Sequence, residues 1–221
     1  MRRWRCAVLL CFAGIFCWSC LFPRSPAPVI YYYALEYDPP PRMAGPVTQG
    51  ALIVYPFGAS APYASRSIVY RDTAYKRDAY GYHQWRAHPG AMVADMIRRD
   101  LQHTGMFEAV LAFGSTAPAR YALEGTVEAL FADKAAAQEA AVLCLTVTLL
   151  DLRAGKSDPA VLFQKTYALR MPCQAGTPQS IVAAMSAALA EGSRNICTDV
   201  RAAVQHASEK GITPSVSPVG Q

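Results

Sequence analysis

The chain has 221 residues, of which 52% are hydrophobic and 17% charged, with a formal net charge of +5. Three of its 21 Lys and Arg residues fall within the first five positions, and removing them leaves 18 basic against 16 acidic side chains. That near balance excludes an electrostatic case for nucleic acid, which needs a surplus of cations to displace counterions from phosphates.

Arg2, Arg3 and Arg5 are followed by an uncharged apolar run from Cys6 to Trp18. A basic start, a short apolar stretch and small residues near its end make a signal peptide of residues 1–19. The run falls short of the about 20 apolar residues that a membrane-spanning helix needs. Pro23, Pro26 and Pro28 follow it instead of a second apolar block, so the working chain is expected outside the cytoplasm. Bacterial lipoproteins are cut before a cysteine that a small residue precedes, and Ser19-Cys20 fits. Cys17 stands where Leu is usual and Trp18 is bulky, so the box is degenerate; a plain secreted chain cut near Ser19 is the alternative. Acylation of Cys20 would anchor the chain firmly, each buried methylene contributing about 0.8 kcal/mol. Residues 20–30 then form a lipidated tether, and Leu21 in place of Asp is the usual pass to a Gram-negative outer membrane.

The remaining length suits one domain with a short tail. Tyr31–Tyr37 (YYYALEY) reads as a first strand. The prolines and glycine between Asp38 and Gln49 forbid regular structure there, and Ala51–Phe57 has the length of a buried strand that stops or lies at an edge near Pro56. Ser67–Tyr75 and Tyr80–Arg86 alternate and are dense in aromatics, which predicts a hairpin with its turn at Asp78–Gly81. Ala91–His103 places Met92, Met96, Ile97 and Leu101 at helical spacing.

Phe107–Phe113 is a short strand, and Tyr121–Ala129, Val142–Leu152 and Val161–Met171 are longer ones; a loop through Gly155–Pro159 joins the last two as an antiparallel pair. Thr177 as N-cap and Pro178 at the first position open a long helix with Ile181, Val182, Met185, Ala188, Leu189, Ile196 and Val200 on one stripe, and Gly192 as the point where it would bend. Residues 209–221 read as a disordered tail, leaving a domain at 31–208. Strands, a helix, more strands and a last helix make an α+β fold, a mostly antiparallel or mixed sheet with two main helices packed on one face.

Beyond Cys20 only Cys144, Cys173 and Cys197 remain. They form no CxxC and have no histidine at ligand spacing, so no metal site and no cofactor are expected. Cys144 reads as a small buried hydrophobe; Cys173 and Cys197 could pair in an oxidising compartment, which spacing leaves open. His83, His88, His103 and His206 have no activated nucleophile near them in sequence, and they read as surface or half-buried side chains. Glu124 and Glu128 share a strand face and could pose as a carboxylate pair, but a solvated face is the simpler reading. A hydrolase therefore has little support. The distinctive stretch is Tyr63–Trp85, where Tyr63, Tyr70, Tyr75, Tyr80, Tyr82 and Trp85 interleave with Arg66, Arg71, Lys76 and Arg77. Such residues carry binding energy at interfaces, although half would face the sheet's own neighbours.

Tyr32-Tyr33-Ala34-Leu35, then Ala61-Pro62-Tyr63-Ala64-Ser65-Arg66-Ser67-Ile68-Val69-Tyr70-Arg71, then Tyr80–Trp85 leading into the helix from Ala91, resemble the ABC-type transport auxiliary lipoproteins, the family that includes the paraquat-inducible protein C type. The resemblance runs from Cys20 to about His206. Departures are the degenerate lipobox, Ala64 in place of the usual Leu, and Arg86-Ala87-His88-Pro89 after the tryptophan. The resemblance implies a non-enzymatic, lipid-anchored part of an envelope lipid transport system that docks a Mce-domain protein at a membrane, with ATP chemistry elsewhere. Arg66, Arg71, Tyr70, Tyr82 and Trp85 are the partner-binding candidates. A periplasmic carrier module that binds phospholipid is the alternative, and self-association stays open.

Overall fold

Three long strands form the spine of the molecule. The computed structural model describes residues 27–152 and 159–211. In chain order its elements are β1 (Tyr31–Tyr33), β2 (Thr48–Val54), β3 (Gly58–Ala59), a 3-10 turn (Ala61–Tyr63), β4 (Ser67–Arg71), β5 (Asp78–Trp85), α1 (Pro89–Thr104), β6 (Phe107–Ala112), β7 (Tyr121–Asp133), β8 (Ala140–Asp151), β9 (Ala160–Pro172) and α2 (Pro178–Gly211). β7, β8 and β9 pair antiparallel along nearly their whole length, Tyr121 opposite Asp151 and Ala140 opposite Pro172.

The other edge of β7 is shared by three short strands in succession. β2, β3 and β4 each run parallel to it, with Leu52 beside Tyr121, Gly58 beside Thr126 and Val69 beside Phe131. β2 passes the sheet on to β6, while β4 passes it to β5 and β5 to β1. Five of the eight pairings are parallel, so the sheet is mixed and curled. A bulge between Val127 and Ala129 leaves Glu128 without an opposite residue. An extra residue reverses which side chains face inward. Tyr121, Leu123 and Val127 enter the main core before it, and Leu130 and Ala132 after it. Phe131 turns to the opposite face and joins Tyr63 and Val69 in a small second cluster.

In β8, Leu143, Leu145, Val147 and Leu149 are buried, while Val142, Cys144, Thr146 and Thr148 are half-buried on the other face. Both helices cover the inward face, as expected. The His88 side chain caps α1 by accepting the Gly90 N–H at 3.2 Å, and Gly105 ends the helix with φ 69°, a left-handed conformation that suits glycine. Thr177 Oγ1 accepts the Ser180 N–H at 3.2 Å at the start of α2, whose expected apolar stripe is buried throughout. α1 and α2 meet at Asp100, a fully buried carboxylate satisfied on all sides. It accepts from Tyr37 at 2.8 Å, from Ser193 at 2.5 Å and from the Arg99 guanidinium at 2.9 and 2.7 Å.

Several boundaries differ from expectation. The first strand stops at Tyr33, because only Tyr31–Tyr33 run alongside β5; the chain then dips so that Leu35 enters the core. The hairpin turn falls at residues 72–77, with Asp78 already paired to Tyr70, since Lys76 bonds Asp72 and fixes the chain reversal earlier. α2 runs unbroken past Gly192, which is a close approach: a Cβ there would lie 2.7 Å from Leu169 Cδ1. α2 also continues to Gly211, beyond the expected domain end at 208. Cys173 and Cys197 are both free and buried. Cys173 precedes α2, whereas Cys197 lies five turns into it, about 29 Å along its axis. The signal peptide, Cys20, most of the tether, most of the loop between β8 and β9, and the tail from residue 212 lie outside the described residues. Among the described residues no helix is long and apolar enough to cross a membrane.

Candidate functional site

Ile68 and Val69 fix the β4–β5 hairpin from opposite faces, Ile68 in the main core and Val69 in the small cluster with Phe131. Between the strands the Lys76 ammonium sits 3.2 Å from Asp72, and Tyr75, with φ 64°, stands fully exposed at the tip.

The turn end of the hairpin is built around one carboxylate. Parallel pairing sets Arg71 beside Asp133 at the end of β7. Arg71 Nε donates to Asp133 Oδ1 at 2.9 Å and its terminal nitrogen to Oδ2 at 2.5 Å, while Arg170 from β9 donates to Oδ2 at 2.8 Å. Asp133 is buried, and the Arg71 hydrogen bonds, with Arg170 adding to them, outweigh that burial and hold its carboxyl down at about 2. The guanidinium carbons of Arg71 and Arg77 lie 5.4 and 4.5 Å from the Phe131 ring centroid, and Tyr63 stacks on the same ring. Tyr70 packs against the main core instead, 4.9 Å from Tyr80, with Lys134 Nζ 5.0 and 4.8 Å from the two rings.

The open end of the hairpin has a different character. Tyr31 stacks on His83 at 5.4 Å, and the Tyr33 hydroxyl shares a 2.9 Å hydrogen bond with His83 Nδ1. Arg66 and Arg86 approach the Tyr32 ring at 5.4 and 5.7 Å. Tyr82 in β5, two positions before the Gln84 that pairs with Tyr32, is exposed.

The five candidates therefore do not form one patch. Tyr70 and Arg71 belong to the turn end, and Arg66 and Tyr82 to the open end. Trp85, expected at the partner surface, is 1% exposed in the main core, because its strand turns that face toward the helices; no surface is left for a partner. Asp133, Lys134 and Arg170 were missed. Asp133 ends β7, Lys134 follows it and Arg170 lies in β9, and no sequence spacing links those strands to β4.

The remaining chemical candidates have structural roles. His88 caps α1 and His103 Nδ1 lies 2.8 Å from the Pro40 carbonyl oxygen. Glu128 accepts from the Ser60 hydroxyl at 3.0 Å, and Glu124 borders an open polar cleft beside the Tyr55–Phe113 ring pair; both glutamates are exposed. Among the described residues no three His, Cys, Asp or Glu side chains converge as metal ligands.

Fold and surface together define a small α+β domain whose concentrated chemistry is cation–aromatic. A family model described as the ABC-type transport auxiliary lipoprotein component matches residues 33–197, and the chain belongs to that family. It is thus a lipoprotein of the transport-auxiliary class. Among solved structures it is similar to protein XCC0632 from Xanthomonas campestris, described with the DUF330 family model. That match has a TM-score of 0.72 and 23% identity, over 80% of this chain and 99% of that one. A structure described only as an uncharacterized protein gives a TM-score of 0.60 at 15% identity, over 78% and 99% of the two chains. The hypothetical protein CT253 from Chlamydia trachomatis gives 0.53 at 11%, over 71% and 98%. These likenesses show the fold. No curated protein matches the sequence.

Proposed function

We propose that this chain is the non-catalytic docking component of a Mce-type envelope lipid transporter, anchored at the outer membrane by acyl chains on Cys20 and meeting the Mce protein with the turn end of the β4–β5 hairpin. Membership of the transport-auxiliary family supports the role. The observation that carries the docking surface is the Asp133 clamp. It fixes Arg71 and Arg170 in place, so the Arg71 guanidinium over Phe131 is ordered before a partner arrives. Arg and aromatic side chains held rigid lose little entropy on binding. An acyl anchor raises the effective concentration of this surface for a partner spanning the same envelope. The alternative of a phospholipid carrier has weaker support, since the cleft beside Tyr55 is open and bordered by Thr, Gln and Glu side chains that suit acyl chains poorly.

The test is photo-crosslinking in cells from a benzophenone amino acid at Tyr75. A crosslink to a Mce-domain protein that Arg77→Glu abolishes is expected. Crosslinks from this position to no transporter component would overturn the docking surface.

A further inference from the structure

We infer that the open end of the hairpin, together with β1 and its lead-in, is a membrane-contact surface that rests on the anionic lipid headgroups of the bilayer holding the anchor. The proposal rests on acylation at Cys20 for its geometry and on the following observations for its chemistry.

Large apolar side chains gather at this corner. Val29, Ile30, Tyr31, Tyr32 and Tyr82 are 66, 42, 53, 45 and 54% exposed, and they occupy β1, its lead-in and its pairing partner β5, with Tyr31 on the His83 face of this edge and Tyr32 and Tyr82 on the other. Among the described residues the other exposed large hydrophobics, Val47, Tyr75, Phe113 and Val161, lie far apart along the chain. A lone exposed apolar residue needs no explanation, but a group of them does. Three of the five are tyrosines, whose apolar ring and polar tip suit the headgroup level of a bilayer.

Charge complements that chemistry. Arg66 and Arg86 bracket the Tyr32 ring, and both are exposed. Among the described residues neither has a carboxylate partner, unlike Arg71, Arg99 and Arg170. Two cations without a carboxylate partner at the exposed Tyr32 ring match an anionic, interfacial surface.

Chain length brings the corner to the membrane. Eight residues, Leu21–Pro28, separate Cys20 from Val29, and fully extended they let Val29 stand about 30 Å from the anchor at most. Three of the eight are prolines. The corner is the first folded part that the anchor reaches. Its partner-facing counterpart, the turn end of the same hairpin, is left free.

The experiment uses the mature chain purified from membranes, with the mass of its N-terminal peptide reporting acylation. Hydrogen exchange is compared in detergent and in phosphatidylethanolamine vesicles with and without phosphatidylglycerol. Residues 27–33 and 82–86 should gain protection in the anionic vesicles while residues 72–77 do not. A full-length mature Cys20→Ala chain, free of lipid, should still sediment weakly with the anionic vesicles, and Arg66→Gln with Arg86→Gln should weaken that partition about thirty-fold. Unchanged exchange at the corner in vesicles would overturn the proposal, as would protection that appears only when a Mce-domain protein is added. If the peptide carries no acyl group, the anchor reading fails by itself, and sedimentation of the Cys20→Ala chain still decides the surface.

Discussion

Asp133 offers a direct test of how the proposed docking surface is held. Asp133→Asn keeps the shape of the side chain and removes the charge that Arg71 and Arg170 share. The carboxyl falls from 3.8 to about 2 in the folded chain. At 1.36 kcal/mol per unit that corresponds to about 2.4 kcal/mol. Water reaches both guanidiniums, since Arg71 is 30% and Arg170 46% exposed. Screening therefore reduces the contribution to about 1–2 kcal/mol. A carboxyl whose value is depressed by folding stabilises the fold above its unfolded value and loses that contribution as pH falls toward the folded one. Urea unfolding of the two proteins should show a constant gap from neutrality to about pH 5, shrinking between about pH 4 and 2. Other acids, such as Asp72 and Asp199, titrate in both proteins and cancel in the difference. A gap that stays constant to the lowest pH at which both proteins fold would refute the electrostatic account. So would no gap at neutrality.

Gly90→Ala would place a Cβ 2.2 Å from the Phe57 carbonyl oxygen, a backbone atom held in the β2–β3 connection. A fall in stability of about 1–3 kcal/mol is expected in thermal or urea unfolding, with an unchanged melting curve as the contrary result. Trp85→Ala should lower stability by about 3–5 kcal/mol on the same measurement, and a surface-like loss below 1 kcal/mol would contradict its place in the core. Burial, and then the charge of Asp100, push the Cys197 thiol up to about 12. It should resist iodoacetamide in the native chain at neutral pH and react on unfolding, and non-reducing intact mass should show no bridge to Cys173.

Local patterns were legible where one element's own chemistry decided the outcome. The Thr177-Pro178 start, the α1 stripe from Met92 to Leu101 and the alternation of β8 all survive, because capping and amphipathicity are read within a few residues. The mixed sheet was foreseen only as a possibility, because parallel pairing of β2, β3 and β4 with one edge of β7 depends on contacts far apart in sequence. The bulge at Glu128 has no signature in an alternating run such as YALEGTVEA, yet it turns Phe131 outward and creates the second cluster. Half of the candidate surface was lost for the same reason. Arg71 could be named, but the carboxylate that orders it lies 62 positions away, and Arg170 a further 37. Trp85 was misplaced because a strand residue gives no sign of which face it takes until the helices are docked.

A single hairpin thus presents two surfaces of different chemistry, and its packing shows how they are kept in a fixed relation. Tyr31 stacks on His83, His83 meets Tyr80 edge-on at 5.8 Å, Tyr80 packs on Tyr70, and Lys134 lies over both of those rings. Tyr33 ties the same histidine by a hydrogen bond, and Trp85 and Ile68 root the hairpin in the main core. Aromatic pairs of this kind each add about 0.5–1.5 kcal/mol beyond the area they bury. If the two ends meet a membrane and a partner as proposed, a defined orientation passes between them only through a rigid body. The ring series supplies that stiffness along the hairpin, and the Asp133 clamp supplies it across the sheet. A flexible loop carrying the same Arg and Tyr residues would spread its partner-facing end over many orientations, and the entropy of ordering them would be subtracted from every docking event.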